Sequence, residues 1–316
     1  MNWLSQVVPR RFFLLSWLWL LPVTTLGQVP GLYFGWGFAN ELTTNSPTDI
    51  GVITRISAGG YHGLALRPDG TVFAWGNNTD GQTNIPPAAT NIIAISAGVR
   101  HSLALRNDGT VVAWGRTNAG QTTVPVGLNN VMAVSAGSDH SVVLRSNGTA
   151  VAWGNNFALT NVPASATNLI AVAAGISATL GLRVDGSVLA WGQSTYSLTN
   201  LPASATNVMA IAIGLDHCLA LRSNGTVVAW GNNTFQQTTV PAQLTNAVAI
   251  SAGWLHSLAK RSDGSLLGWG LSTSGQTTIP ATLTNFSDFA AGNAYNLAVD
   301  LRPRFATNLP ATVTLP

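Results

Sequence analysis

Ser96-Ala97-Gly98-Val99-Arg100-His101-Ser102-Leu103-Ala104-Leu105-Arg106-Asn107-Asp108-Gly109-Thr110-Val111-Val112-Ala113-Trp114-Gly115 is one turn of a repeat that governs the chain from Leu32 to Leu301. Its Trp-Gly pair returns at Trp36, Trp75, Trp114, Trp153, Trp191, Trp230 and Trp269, a period of 39 residues with one step of 38. Inside the unit, Ile92 to Ala97 and Ser102 to Arg106 alternate apolar and small residues, and Thr110 to Trp114 is β-rich. Asn107-Asp108-Gly109 supplies a turn between the last two, because Gly takes positive φ without penalty and Asp or Asn stabilises the approach. The middle pair therefore reads as a hairpin. A fourth, shorter strand is expected after Trp-Gly, ending near the proline that recurs at Pro47, Pro86, Pro125, Pro163, Pro202, Pro241 and Pro280. Proline suits an outer edge because it donates nothing to a ladder.

Short antiparallel strands repeated seven times predict an all-β protein, a seven-bladed β-propeller over residues 28–301. Leu32 to Gly37 is the second half of a repeat that lacks its first half, and Phe289 to Val299 is a first half with no Trp-Gly after it. Complementary halves at the two ends predict a ring closed by pairing of the N- and C-terminal half-repeats. The Ser-Ala-Gly strand should be innermost, where blades converge and only small side chains fit. Trp36, Trp75, Trp114, Trp153, Trp191, Trp230 and Trp269 should then fill the space between blades.

Residues 1–27 read as a signal peptide. Arg10 and Arg11 precede an apolar run, Phe12 to Leu21, too short to span a bilayer, and Thr25 and Gly27 place small residues before a cleavage expected at Gln28. The expected location is therefore secreted, periplasmic or at the cell surface, with no membrane insertion after cleavage. Residues 302–316 read as a tail or linker. The 14 basic and 11 acidic residues give +3, and loss of Arg10 and Arg11 leaves +1. With Lys260 as the one lysine, no basic face is available for nucleic acid. Cys218 is the one cysteine, so no intrachain disulfide forms, and its apolar surroundings mark it as a small buried hydrophobe.

The unit "SAGxxHSLALRxDGTVxAWG" and its trailing "GQT" resemble the repeats of the regulator of chromosome condensation family across nearly all of residues 28–301. The resemblance implies a seven-bladed propeller, and characterised members include nucleotide-exchange factors for a small nuclear GTPase and partners in larger signalling or ubiquitin-ligase proteins.

All five histidines, His62, His101, His140, His217 and His256, occupy one repeat position, with Ala178 and Tyr295 in the other two copies. Equivalent positions on different blades stand too far apart to share an ion, so these side chains are expected to be structural, bonding backbone between neighbouring strands; no metal and no cofactor is expected. Arg67, Arg106, Arg145, Arg183, Arg222 and Arg261 precede the turns, where Asp69, Asp108, Asp185 and Asp263 should offset them. No unique acid, base or nucleophile rises above the repeat, and Asp139-His140 and Asp216-His217 point to opposite faces of a strand.

One place does not repeat. Between Ala-Gly and His stand Gly60-Tyr61, Val99-Arg100, Ser138-Asp139, Ile176-Ser177, Leu215-Asp216, Trp254-Leu255 and Asn293-Ala294. Their position at the bend leaving the inner strand predicts a cluster around the channel mouth, with Tyr61, Arg100, Asp139, Asp216 and Trp254 as the ligand-binding candidates. The leading expectation is an exported monomeric scaffold without enzyme activity, binding a protein or an extracellular polymer. The alternatives are a guanine-nucleotide exchange factor like the family's eukaryotic members, and a hydrolase or lyase with its site in the central channel.

Overall fold

The computed structural model describes residues 32–37, 50–154, 157–193 and 195–301. The leader at 1–27 and the tail at 302–316 lie outside the described residues. Seven antiparallel sheets of three strands each are present, one per repeat. In blade 2 the inner strand Ile92–Ala97 pairs with the middle strand His101–Arg106, which pairs with the outer strand Val111–Gly115. Blade 1 is built likewise from Arg55–Ala58, His62–Leu66 and Val72–Gly76, and blade 5 from Val208–Ile213, His217–Arg222 and Val227–Gly231. Blades 3, 4 and 6 follow the same order.

Blade 7 is composite. Its inner and middle strands are Phe286–Ala291 and Tyr295–Asp300, and its outer strand is Leu32–Gly37, in register from Leu32 opposite Asp300 to Gly37 opposite Tyr295. The junction of blade 7 with blade 1 is tied by Asp288 Oδ2, which accepts from Ile56 N at 3.0 Å, and by the Tyr295 hydroxyl, 2.9 Å from both Gly59 O and His62 O. The ring is therefore closed at the point where the two half-repeats meet.

The inner strands do carry the smallest residues to the axis. A Cβ placed on Gly137 would lie 2.5 Å from Gly175 O of the next blade, and one on Gly292 would lie 2.9 Å from Gly59 O. Any larger residue forces the blades apart. The serine of the same strand does more than fit, since Ala97 N donates to Ser57 Oγ and Ala136 N to Ser96 Oγ, each at 2.9 Å, from blade to blade.

Each tryptophan packs between blades, against the middle strand of the preceding one: Trp114 beside Leu64 and Leu66, Trp153 beside Leu103 and Leu105, Trp36 beside Leu258. Burying an indole removes about 150–250 Å² from water. In six of the seven, Trp75 excepted, the one polar atom is hydrogen-bonded as well, Trp114 Nε1 donating to Gln82 O and Trp153 Nε1 to Gln121 O, both at 2.9 Å.

One expectation is corrected. The segment after Trp-Gly is not a fourth strand. In blade 1, Asn77 Oδ1 accepts from Thr79 N and Gly81 N bonds Asn78 O, so the chain curls into turns and delivers Gln82 to the next blade. Asn, Thr, Asp and Gly offer the backbone local partners, which outcompete a ladder. The arginines before the turns feel the turn carboxylates through space, as expected, but only as a minor effect. Arg67 Nε donates to Ile50 O at 2.8 Å and Arg106 Nε to Ala88 O at 2.9 Å, while Asp69 and Asp108 accept from Thr71 and Thr110. Those threonine bonds, more than the arginine charge, hold the Asp69 and Asp108 carboxyls below their usual range. The described residues include a single helical turn, Phe157–Thr160, and a 3-10 turn, Thr195–Ser197, both in loops after Trp-Gly.

Candidate functional site

The histidines bridge successive blades, with side chains as their main partners where backbone was expected. Each imidazole reaches a side chain of the next blade, and His101 has the Ser138 backbone as a further, weaker partner. His62 Nε2 meets Ser102 Oγ at 2.9 Å, His101 meets Ser141 at 3.0 Å, His140 meets Thr179 at 2.9 Å and His217 meets Ser257 at 2.9 Å. Ser102 Oγ in turn donates to Gln82 O at 3.0 Å, the carbonyl that Trp114 also uses. A hydroxyl that donates onward must accept from the ring, so Nε2 carries the proton. His256 makes the same bond to Asn296 Oδ1 at 2.6 Å, with Asn296 Nδ2 donating to Gln276 O at 2.7 Å. Burial pushes the pKa of His62, His101 and His217 down to about 3, and of His140 and His256 to about 4. All five are neutral at ordinary pH and committed to blade-to-blade bonds.

Cys218 is fully buried and burial pushes its thiol pKa up, so it is a packing residue, as expected.

The non-repeating residues do gather at the mouth. All seven blades line a central cavity of about 80 Å³ with Ala, Gly and Ile213, and Gly60, Val99, Ile176 and Trp254 complete it. No titratable side chain is in that lining. Trp254 of blade 6 reaches across blade 7 to blade 1, where its ring meets Tyr61 edge to face, centroids 5.5 Å apart at 81°. A Cβ on Gly60 would come within 3.1 Å of the Trp254 ring, so glycine is what lets the indole lie over blade 1. Arg100 of blade 2 sets its guanidinium 5.4 Å from the Tyr61 ring centroid and pairs with Asp80 at 3.1 Å. Three of the five candidate residues thus form one continuous cluster, Trp254, Tyr61 and Arg100, from blades 6, 1 and 2.

Asp139 and Asp216 stand outside it. Asp139 faces Arg116 at 3.9 Å on the rim of blade 3. Asp216 is buried, its Oδ2 accepting from Asn232 Nδ2 at 2.6 Å and its Oδ1 from Gln237 Nε2 at 3.4 Å, so it is spent inside its own blade. Sequence reasoning missed the residues that meet the dipeptides from the following loop, namely Asp80, Arg116, Gln121 and Gln237. These are residues two, five and seven past a Trp, and the glutamine seven past recurs at Gln82, Gln121, Gln237 and Gln276, a signal the sequence did offer.

A family profile described as "Regulator of chromosome condensation (RCC1) repeat" matches residues 53–82, 92–121, 132–158, 209–237 and 247–276. No curated protein is significantly similar in sequence. Among solved structures, Prp20p from Saccharomyces cerevisiae superposes with a TM-score of 0.70 at 18% identity, over 87% of this chain and 92% of that one. Human WBSCR16 gives 0.67 at 18% identity, over 85% and 98%. The ectodomain of the receptor kinase CR4 from Physcomitrella patens gives 0.69 at 21% identity, over 80% and 71%. At these identities the likeness is one of fold.

Proposed function

The chain is a regulator of chromosome condensation (RCC1) repeat protein folded as a seven-bladed propeller, and from that premise we propose that it is an exported scaffold holding a partner protein on the channel mouth through Tyr61, Arg100 and Trp254. The observation that carries the reading is convergence. The one position at which every repeat differs brings an indole, a phenol and a guanidinium from three separate blades into a single stack. Aromatic residues and arginine dominate the energetics of protein interfaces because they offer large contact area at low cost in side-chain freedom. The small apolar channel favours a partner seated on the face over a substrate held within.

Two similar structures support the class of function. The Prp20p structure was described together with binding to Gsp1p and histones, and the CR4 propeller belongs to a receptor ectodomain. Export rests on the leader read in residues 1–27.

The test pairs capture with stability. The wild-type chain and the Tyr61→Ser/Trp254→Ser variant are immobilised and exposed to extracellular fractions from the native host. The expected result is a partner retained by the wild type alone, with the two proteins melting within about 2 °C of each other. Equal retention by both would sink the proposal, and polysaccharide retained in place of protein would replace the partner class.

A further inference from the structure

The residues around the dipeptides keep one register in four blades, blade 6 holding it with Leu255, Leu271 and Gln276, and three of the four carry polar side chains at all three places. These polar sets are Tyr61, Asn77 and Gln82 in blade 1, Arg100, Arg116 and Gln121 in blade 2, and Asp216, Asn232 and Gln237 in blade 5. The backbone is tied identically in each, Asn77 N donating to Tyr61 O at 2.9 Å, Arg116 N to Arg100 O at 2.9 Å and Asn232 N to Asp216 O at 2.8 Å. The glutamine is tied identically as well: its Oε1 accepts at 2.9 Å from the amide of Asp80, Ala119 or Phe235, two residues before it. That bond fixes which end of the amide is which. With backbone and Oε1 both held, Nε2 is aimed at the same spot in every copy.

What Nε2 finds there differs. In blade 1 it donates to Asn77 Oδ1 at 3.0 Å. In blade 5 it donates to the Asp216 carboxylate, which also accepts from Asn232. Blade 5 is thus a worked example of how this register holds a carboxylate. In blade 2 the acceptor is gone: Gln121 is fully buried and its Nε2 has no hydrogen-bond partner. The two neighbours that would have supplied or shared an acceptor are Arg100 and Arg116, which carry donors alone. A buried donor left unmade is costly, and one flanked by two arginines is matched by an acceptor that carries negative charge.

We infer that blade 2 is a carboxylate-binding site, completed by an Asp or Glu side chain of the partner protein, which takes the place that Asp216 fills in blade 5. The inference rests on the mouth-face reading above and narrows it, since Arg100 lies on Tyr61 and the site adjoins the aromatic pair. Two carboxylates of the chain already touch the arginines, Asp80 at 3.1 Å from Arg100 and Asp139 at 3.9 Å from Arg116. Each contact engages one Nη1 atom, and the arginine side chains are 42% and 34% exposed, so the guanidinium groups retain free N–H donors and freedom to turn. An incoming carboxylate gains charge-assisted bonds from both and the buried amide of Gln121 besides.

The probe is acetyl-Ala-Asp-Ala-amide, whose single carboxylate is the side chain, added to the ¹⁵N-labelled full chain, with the Asn peptide and sodium chloride as parallel arms. The Gln121 side-chain amide signal, assigned by its loss in Gln121→Leu, is expected to shift saturably with the Asp peptide alone. Gln237, whose donor Asp216 already occupies, is expected to stay still. Arg116→Gln should weaken the Asp peptide at least about 5-fold; the peptide carries no aromatic group and the capture experiment reads the aromatic pair, so that failure of the carboxylate site and failure of the aromatic cluster give different results. A silent Gln121, an equal response to the Asn peptide or to chloride, or a shift shared with Gln237 would overturn the inference.

Discussion

Ala178 and Cys218 account for each other. Blade 4 has alanine where five blades have histidine, and the partner position one repeat on, which elsewhere is Ser102, Ser141, Thr179, Ser257 or Asn296 accepting from an imidazole, is here the one cysteine. With no N–H arriving, a hydroxyl has one partner fewer, and an apolar thiol fits the gap. Both residues are fully buried in one apolar cluster. Ala178→His alone should destabilise the protein, because it adds volume and a donor facing sulfur. Ala178→His with Cys218→Ser rebuilds the pair used elsewhere, and a double-mutant cycle by urea unfolding is expected to show favourable coupling of about 1 kcal/mol or more. Additive effects would mean that the two positions do not communicate. The histidine column was legible in the sequence because it recurs. Its partner was not, since the bond joins successive repeats and reading one repeat never sets the two residues side by side.

The hairpin turn is the element the sequence exposed most fully. Gly109 takes φ +79, and a Cβ placed on it would lie 3.3 Å from Asn130 Cα of the following loop, so a side chain there is disfavoured twice over. The residue before it caps the turn from its side chain. Asp108 Oδ1 accepts from Thr110 N at 2.9 Å and from its hydroxyl at 2.6 Å, and Asn147 Oδ1 does the same for Thr149 at 3.1 and 2.7 Å. Since one oxygen does the work in both, Asn147→Asp should leave the Tm where it is or raise it at neutral pH. Asp108→Ala should lower it, and differential scanning calorimetry on the two variants decides; a fall in Tm for Asn147→Asp would show that the amide nitrogen has a task of its own. The segment after Trp-Gly was misread because its recurring proline suggested an edge strand. The decisive residues were the polar ones, such as Asn77 and Gln82, whose side chains replace ladder bonds with local ones. The mouth cluster was half legible: variability located it, but only the crossing of blade 7 by Trp254 selects Tyr61 and Arg100 from the seven dipeptides.

At the scale of the whole molecule, five neutral histidines spread over the ring make acid its weak point. Their folded pKa values of about 3 to 4 lie below the 6.5 of an unstructured imidazole. The unfolded chain therefore takes up protons first as pH falls. Their contribution is complete above pH 6.5 and drains away below it, by about 2 kcal/mol per histidine at pH 5, or about 10 kcal/mol for the set. A domain of this kind holds about 5–15 kcal/mol in total, so tryptophan fluorescence is expected to show cooperative unfolding near pH 5. A native spectrum at pH 4 would mean that the imidazoles find protonated partners within the fold. The composite blade has a consequence of another sort. Trp36 bonds Gln276 O across 240 residues of sequence, yet in space it repeats the bond that Trp114, Trp153, Trp191, Trp230 and Trp269 make across 32. The seam therefore marks where the polypeptide was cut, not where the ring is special. A circularly permuted gene that links Asp300 to Leu32 and opens in another loop should yield the same wheel with its joint moved to a different spoke.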